Sequence, residues 1–353
     1  MFGISTYLNE NIEDVNKYFE RLSKFNINTV FTSMHINEED SDTVLSMMES
    51  ISRIAKNKKI DLMIDISSNT LSKFNMTLDE MIEYYHNLGV NTLRVDFGII
   101  INDIKKLSEN FNIVLNASTI DDDYCNELIK FGINLEGLTV CHNFYPRPDT
   151  GLDENLFRNK NKYFKEKGFK IQAFIPGDKV LRGPIYEGLP TLEKHRKSNL
   201  LCAYIELVKE FDVDEIIVGD TEISDYYANA INEYINSNRI NLRLKEYNLD
   251  PISKKVFWNI HKNRKDYSER VIRVSETRLA IKEKIPRLNT VNRPKGTVTI
   301  DNENYKRYNG ELQIALIDLD SDDRVNVLGY IEDEDICLLK YITEEIEFRF
   351  IWI

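Results

Sequence analysis

The chain has 353 residues, 42% of them hydrophobic and 29% charged, with a formal net charge of −12. That length exceeds one ordinary hydrophobic core and suits two domains. No apolar run approaches the ~20 residues of a membrane helix, and the acidic balance argues against nucleic acid or a membrane surface as partner.

The first two thirds alternate between strand-like and helical patterns. Residues 2–7 form a short apolar run, and the segment from Met1 to Thr6 has no basic region, so it is expected to enter structure directly and not to act as a signal peptide. Asn11 then caps a helix with Ile12, Val15, Phe19 and Leu22 at helical spacing. Residues 29–36 are β-branched and strand-like, followed by a helix from Ser41 through Val44, Met48, Ile51 and Ile54. Residues 62–66 give a third strand. Thr77 and Glu80 form a capping box ahead of Met81, Ile82 and Tyr85, with Gly89 past the helix end.

Five more strands are expected at 92–97, 113–117, 138–141, 171–175 and 215–218, with helices near 102–109, 122–131, 153–167, 196–210 and 224–236. Eight strand–helix units predict an α/β chain folded as a (β/α)8 TIM-like barrel. The rival, an open doubly wound sheet, lacks the G-x-G-x-x-G turn after its first strand. The pattern changes near 237–248. Short strand-like runs follow at 241–247, 271–274, 296–300, 311–316, 325–330 and 346–353, so a barrel over 1–238 and a β-rich domain over 239–353 are expected.

Four scattered cysteines (Cys125, Cys141, Cys202, Cys337) contain no C-x-x-C pair. They speak against a disulfide framework or structural zinc and for a reducing cytoplasm.

In such a barrel the polar residues at strand C-termini line the mouth. They are Ser5, Tyr7, Ser33, His35, Asp65, Ser67, Arg94, Asp96, Asn116, Ser118, His142, Asn143, Tyr145, Asp220 and Glu222. Asp65 and Asp96 stand inside the apolar runs LMIDIS and LRVDFG; two carboxyls in different surroundings can divide acid and base or nucleophile roles, as glycoside hydrolysis requires. The plainer alternative is that each accepts hydrogen bonds from loop amides or Arg94. Residues 141–152 (CHNFYPRPDTGL) offer imidazole, amide, phenol and guanidinium groups on a loop stiffened by prolines, a set suited to a polyhydroxylated anion. His142 alternatively just orients Asn143, and no partner at metal-ligand spacing lies beside it.

Residues 176–196 form a long loop with the character of a lid or a disordered segment. It carries Arg182, Glu187, Glu193, His195 and Arg196. Glu187 is a candidate acid/base, His195 and Arg196 are candidate anion ligands, and Glu193 is favoured as a helix-capping residue. In the second domain, Arg273 and Arg278 either clamp a phosphate or are simply exposed at a strand end.

These residues resemble a known family. GIS-x-Y at the start, Arg94-x-Asp96-x-Gly98, Asn116-x-Ser118, CHNFYP-x-x-x-TGL over 141–152, GL-x-TLE-x-HR over 188–196, RVSE over 273–276 and GELQI over 310–314 are similar to the bacterial 6-phospho-N-acetylmuramidases, a glycoside hydrolase family, and close to its staphylococcal members. The resemblance implies a barrel followed by a small cyclophilin-like β-barrel domain covering its mouth. It implies cytoplasmic hydrolysis of N-acetylmuramic acid 6-phosphate β-1,4-linked to N-acetylglucosamine in peptidoglycan recycling, with no cofactor and no metal. Asp65 and Asp96 fall on strand-end acids of the family pattern, and Glu187 falls where related chains carry an acid. Asp220 and Glu222 fall where some relatives have none. The expected site therefore comprises Asp96, Asp65 and Glu187 as catalytic groups. Arg94, Asn116, Ser118, His142, Asn143, Tyr145, His195, Arg196 and Arg278 are the expected substrate or phosphate ligands. The alternatives are a sugar-phosphate lyase or isomerase and a non-enzymatic sugar-phosphate binding protein.

Overall fold

The structure, a computed structural model, describes residues 1–34, 41–246 and 249–353. His35, one of the expected mouth residues, lies outside them.

Eight parallel strands close into a barrel in chain order. They are β1 (Phe2–Ser5), β2 (Thr29–Ser33), β3 (Asp61–Ile66), β4 (Thr92–Val95), β5 (Asn112–Asn116), β6 (Thr139–Cys141), β7 (Lys170–Ile175) and β8 (Glu215–Val218). Their near-continuous burial on both faces explains why they read as apolar runs without clean alternation. Around them run α1 (Ile12–Leu22), α2 (Ser41–Lys58), α3 (Ser68–Phe74), α4 (Leu78–Leu88), α5 (Ile101–Ser108), α6 (Asp122–Lys130), α7 (Glu154–Glu166), α8 (Leu200–Phe211) and α9 (Asp225–Ser237). The caps are those the sequence advertises: Asn11 accepts from the Glu13 N–H, and Thr77 with Glu80 closes a capping box. The seven-residue α3 was not expected. It opens directly off β3 through Ser67, which its own apolar content does not announce.

The chain divides into two compact units, Met1–Ala228 and Asn229–Ile353, with the dividing point inside α9. The second unit holds a seven-stranded mixed sheet. Its strands are β9 (Arg239–Glu246), β10 (His261–Lys262), β11 (Val271–Val274), β12 (Thr297–Asp301), β13 (Leu312–Ala315), β14 (Val325–Ile331) and β15 (Glu347–Trp352), in the order β10-β15-β9-β14-β12-β13-β11. All pairs are antiparallel except β9 with β15. Leu242, Ile300, Ile314, Val327 and Phe348 are buried in its core. β10, only two residues long, is the strand the sequence did not reveal.

Candidate active site

Alternation along each strand sends every second side chain into the barrel. Tyr7, Phe31, Met63, Val114, Cys141, Phe174 and Ile217 meet there in one buried cluster with Leu189 from the segment after β7. Phe144 packs on this cluster, edge-on to Phe31 and Phe174 with ring centroids 6.1 and 5.1 Å away. This aromatic plug fills the barrel below its mouth.

The same inward parity carries Asp65, Arg94, Asp96 and Asn116 to the C-terminal ends of β3, β4 and β5. The Arg94 guanidinium is buried and donates to Asp65 Oδ1 at 2.6 Å and to Asn143 Oδ1 at 2.5 Å. The guanidinium nitrogen bound to Asp65 lies 4.0 Å from Asp96 Oδ2. Those two carboxylate oxygens are therefore no more than roughly 6.6 Å apart, the 2.6 and 4.0 Å legs laid end to end. Burial works against the charge of Arg94, but Asp65, Cys141 and Asp96 outweigh it and hold the guanidinium above its ordinary proton affinity. Cys141, beneath, has its thiol pushed up to about 12 by burial, which leaves it inert.

Asp96 is oriented from the other side. Asn116 Nδ2 donates to Asp96 Oδ1 at 2.6 Å, and Asn116 Oδ1 accepts from both the N–H and the hydroxyl of Ser118, at 2.9 and 2.8 Å. The two Ser118 donors decide which end of the Asn116 amide is oxygen, so its NH2 must face Asp96. Thus Asp65, Arg94, Asp96, Asn116, Ser118 and Asn143 form one connected network at the mouth.

The remaining expected residues do other work. His142 follows the inward Cys141 and so points outward. Its Nε2 lies 2.7 Å from Asn161 Oδ1 on α7, its ring packs on Phe157 and Phe164, and burial pulls its pKa down to about 3. His195 is buried against Glu206 of α8 at 2.7 Å. Arg196 spends its guanidinium on Glu193 and on the carbonyls of Gly188, Tyr145 and Arg147. These three are therefore fastened inside the protein and are not placed as anion ligands. Tyr145 is half-buried, and its backbone N–H donates to the Pro190 carbonyl at 2.9 Å. Glu187 is exposed, and its carboxylate makes no hydrogen bond among the described residues. Arg278 belongs to the second unit, where it lies 3.4 Å from the buried Glu311 and over the Tyr308 ring.

The segment after β7 is not a loose lid along its whole length. Glu193 accepts from the amides of Asp149 and Gly151, and Arg196 ties the same segment to 145–147. A Cβ at Gly151 would lie 2.6 Å from the Glu193 nitrogen, so only glycine permits this approach. Asp220, fully buried, accepts from the amides of Gly177, Arg182 and Leu189, each at 2.9 Å. It is a hub for the loops after β7 and β8, which explains a strand-end acid without assigning it chemistry. Glu222 pairs with Arg21 at 2.6 Å. Among the described residues, no group of three or more His, Cys, Asp or Glu is arranged to hold a metal, and no helix is long and apolar enough to cross a membrane.

No curated protein matches the chain. Two solved structures resemble it over essentially their whole length. One is a conserved Enterococcus faecalis protein of unknown function, 36% identical, with a TM-score of 0.89 and coverage of 100% of this chain and 96% of that one. The other is an uncharacterized B. cereus protein, 25% identical, with a TM-score of 0.78 and coverage of 99% of each. The 6-phospho-N-acetylmuramidase N-terminal model matches residues 2–233, and the corresponding C-terminal model matches residues 240–351. A barrel with paired acids at its strand ends and two family models spanning both units lead to one conclusion: the chain belongs to the 6-phospho-N-acetylmuramidase family and is a glycoside hydrolase.

Proposed function

We propose that the enzyme hydrolyses the β-1,4 bond between N-acetylmuramic acid 6-phosphate and N-acetylglucosamine, in the cytoplasm, during peptidoglycan recycling. The second unit is proposed to be a cyclophilin-like module of the same enzyme. The observation that carries the reading is the Asp65–Arg94–Asp96 cluster, two carboxylates sharing one buried guanidinium at the barrel mouth.

In this scheme Asp96 is the proton donor. Asn116 orients it by donating to its Oδ1. Asp65, paired with Arg94 at 2.6 Å, is the nucleophile. Asp96 protonates the glycosidic oxygen as the bond to C1 breaks and Asp65 attacks C1. Water then cleaves the glycosyl ester, giving its proton to Asp96. The ~6.6 Å ceiling on one oxygen–oxygen separation favours the ~5–5.5 Å spacing of retaining enzymes over the ~6.5–9.5 Å of inverting ones. Asn143 and Tyr145 are proposed to contact sugar hydroxyls or the acetamido group.

Incubation with the phosphorylated disaccharide in 18O-water tests the reaction: hydrolysis places solvent oxygen on the new muramic product, with net retention at its anomeric carbon. No cleavage refutes the reading. Asp96→Asn is expected to lower kcat by roughly 10²–10⁴-fold without loss of fold; an unchanged kcat would move the donor role to Glu187.

A further inference from the structure

The substrate class carries a phosphate monoester, yet His142, His195 and Arg196 are committed inside the protein. Arg182 is not. Its guanidinium carbon lies 3.6 Å from the centroid of the Tyr7 ring and 5.7 Å from that of Phe144, the two aromatics at the top of the barrel plug. Its main chain is anchored, with the N–H donating to Asp220 Oδ1 at 2.9 Å. Among the described residues, however, the guanidinium has no hydrogen-bond or ion-pair partner.

The carboxylates around it, Glu10 among them within its electrostatic reach, spend their hydrogen bonds elsewhere. Glu10 accepts from the Tyr7 N–H at 2.6 Å, and Asp220 accepts three backbone amides. The result is a half-buried guanidinium with all five N–H donors unspent, resting over an aromatic floor. Such a floor excludes water from one side and strengthens a charge–charge contact on the other. A chain of net charge −12 repels a phosphate dianion at a distance, so attraction has to come from a local cation.

We propose that Arg182 binds the phosphate monoester of the substrate, as a planar two-pronged donor presented on the Tyr7–Phe144 platform. The inference rests on the sugar-phosphate reading and adds the residue that enforces it. Guanidinium is suited to the task because its paired N–H groups match two phosphate oxygens. A network of contacts also joins it to the acids: Phe144 beneath Arg182 is followed back along the chain by Asn143, which Arg94 holds beside Asp65.

The test compares full-length wild type, R182Q and R182K on the phosphorylated disaccharide, on its unphosphorylated form and on a phosphorylated form lacking the lactyl group. Calorimetric titration with inorganic phosphate and thermal melts accompany the kinetics. R182Q is expected to lose roughly a hundredfold in kcat/KM on both phosphorylated substrates and little on the unphosphorylated one, with R182K between. Phosphate binding is expected to weaken in parallel. Equal losses on phosphorylated and unphosphorylated substrates would make Arg182 a structural clamp on Tyr7. A loss that vanishes only when the lactyl group is absent would assign the contact to that carboxylate. Either result overturns the proposal. If wild type cleaves none of the substrates, the sugar-phosphate reading fails, and the phosphate titration still decides Arg182: weaker binding by R182Q supports the site, and equal binding refutes it.

Discussion

Arg94→Met would expose how tightly the catalytic end of the barrel is held. Arg94 and Asp65 side chains are only 5% and 7% exposed, and their 2.6 Å contact offsets part of the cost of burying both charges. Removing the guanidinium leaves a buried carboxylate without its cation, a loss of about 3–5 kcal/mol. At about 2–4 °C per kcal/mol for a domain of this size, the melting temperature should fall by roughly 6–20 °C. Asp65→Asn should also destabilise, since it leaves the buried guanidinium only the more distant Asp96 carboxylate. The double variant should recover much of the loss, because neither charge is then left alone. Thermal melts of wild type, both single variants and the double variant at neutral pH provide the assay. An Arg94→Met protein that melts within about 2 °C of wild type, or single losses that simply add, would refute the picture of an interdependent pair.

Other expectations concern the neighbours. Asn116→Ala removes the amide that orients Asp96 and should lower kcat by roughly 10–100-fold, whereas Ser118→Ala should cost roughly 3–10-fold; no change in the former would remove Asn116 from the site. His142 is neutral when folded, with its pKa near 3 against about 6.5 unfolded. Its contribution is complete above about pH 6.5 and is lost as pH falls toward 3, by up to about 1.4 kcal/mol per unit. His142→Asn should flatten this acid limb in pH-dependent melts while leaving phosphate dependence of KM unchanged. For Glu10, burial pushes the carboxyl up to about 7. Its raised value favours the fold below about pH 4.5, an advantage lost as pH rises through 7. Glu10→Gln should thus gain in melting temperature relative to wild type at pH 8 compared with pH 4, and the opposite trend would contradict that sign.

The barrel was legible because parallel strands buried on both faces leave contiguous apolar runs, and because caps such as Asn11 and Thr77 mark helix starts. The strand-end placement of Asp65, Arg94, Asp96 and Asn116 was legible for a related reason: polar side chains interrupt those runs. The outward direction of His142 was harder to read, because proximity to a strand end says less than parity. Counting from Cys141, an inward residue, places His142 on the helix side. Arg196 and His195 were harder to read for another reason, since a conspicuous cation in a loop carries no mark of which carbonyls or acids it will meet after folding. Arg182 was visible as a loop cation, but its seat on Tyr7 depends on residues some 175 positions away in the chain. Short pieces such as α3 and β10 carry too few residues for a periodic signal.

The ties that Glu193 and Arg196 make across 145–151 bear on how the enzyme opens. A wall stapled by a buried guanidinium and a shared carboxylate moves as one body, so residues 188–196 cannot swing away alone to release product. Breathing of that side should be cooperative and slow, with the Asp149 and Gly151 amides among those exchanging late with solvent hydrogen. Traffic then falls to the exposed stretch 184–186, ahead of the Glu187 and Gly188 carbonyls that Arg196 holds. Turnover on this scaffold would be tuned by the stiffness of three residues at the edge of the segment, leaving the catalytic floor undisturbed at each cycle.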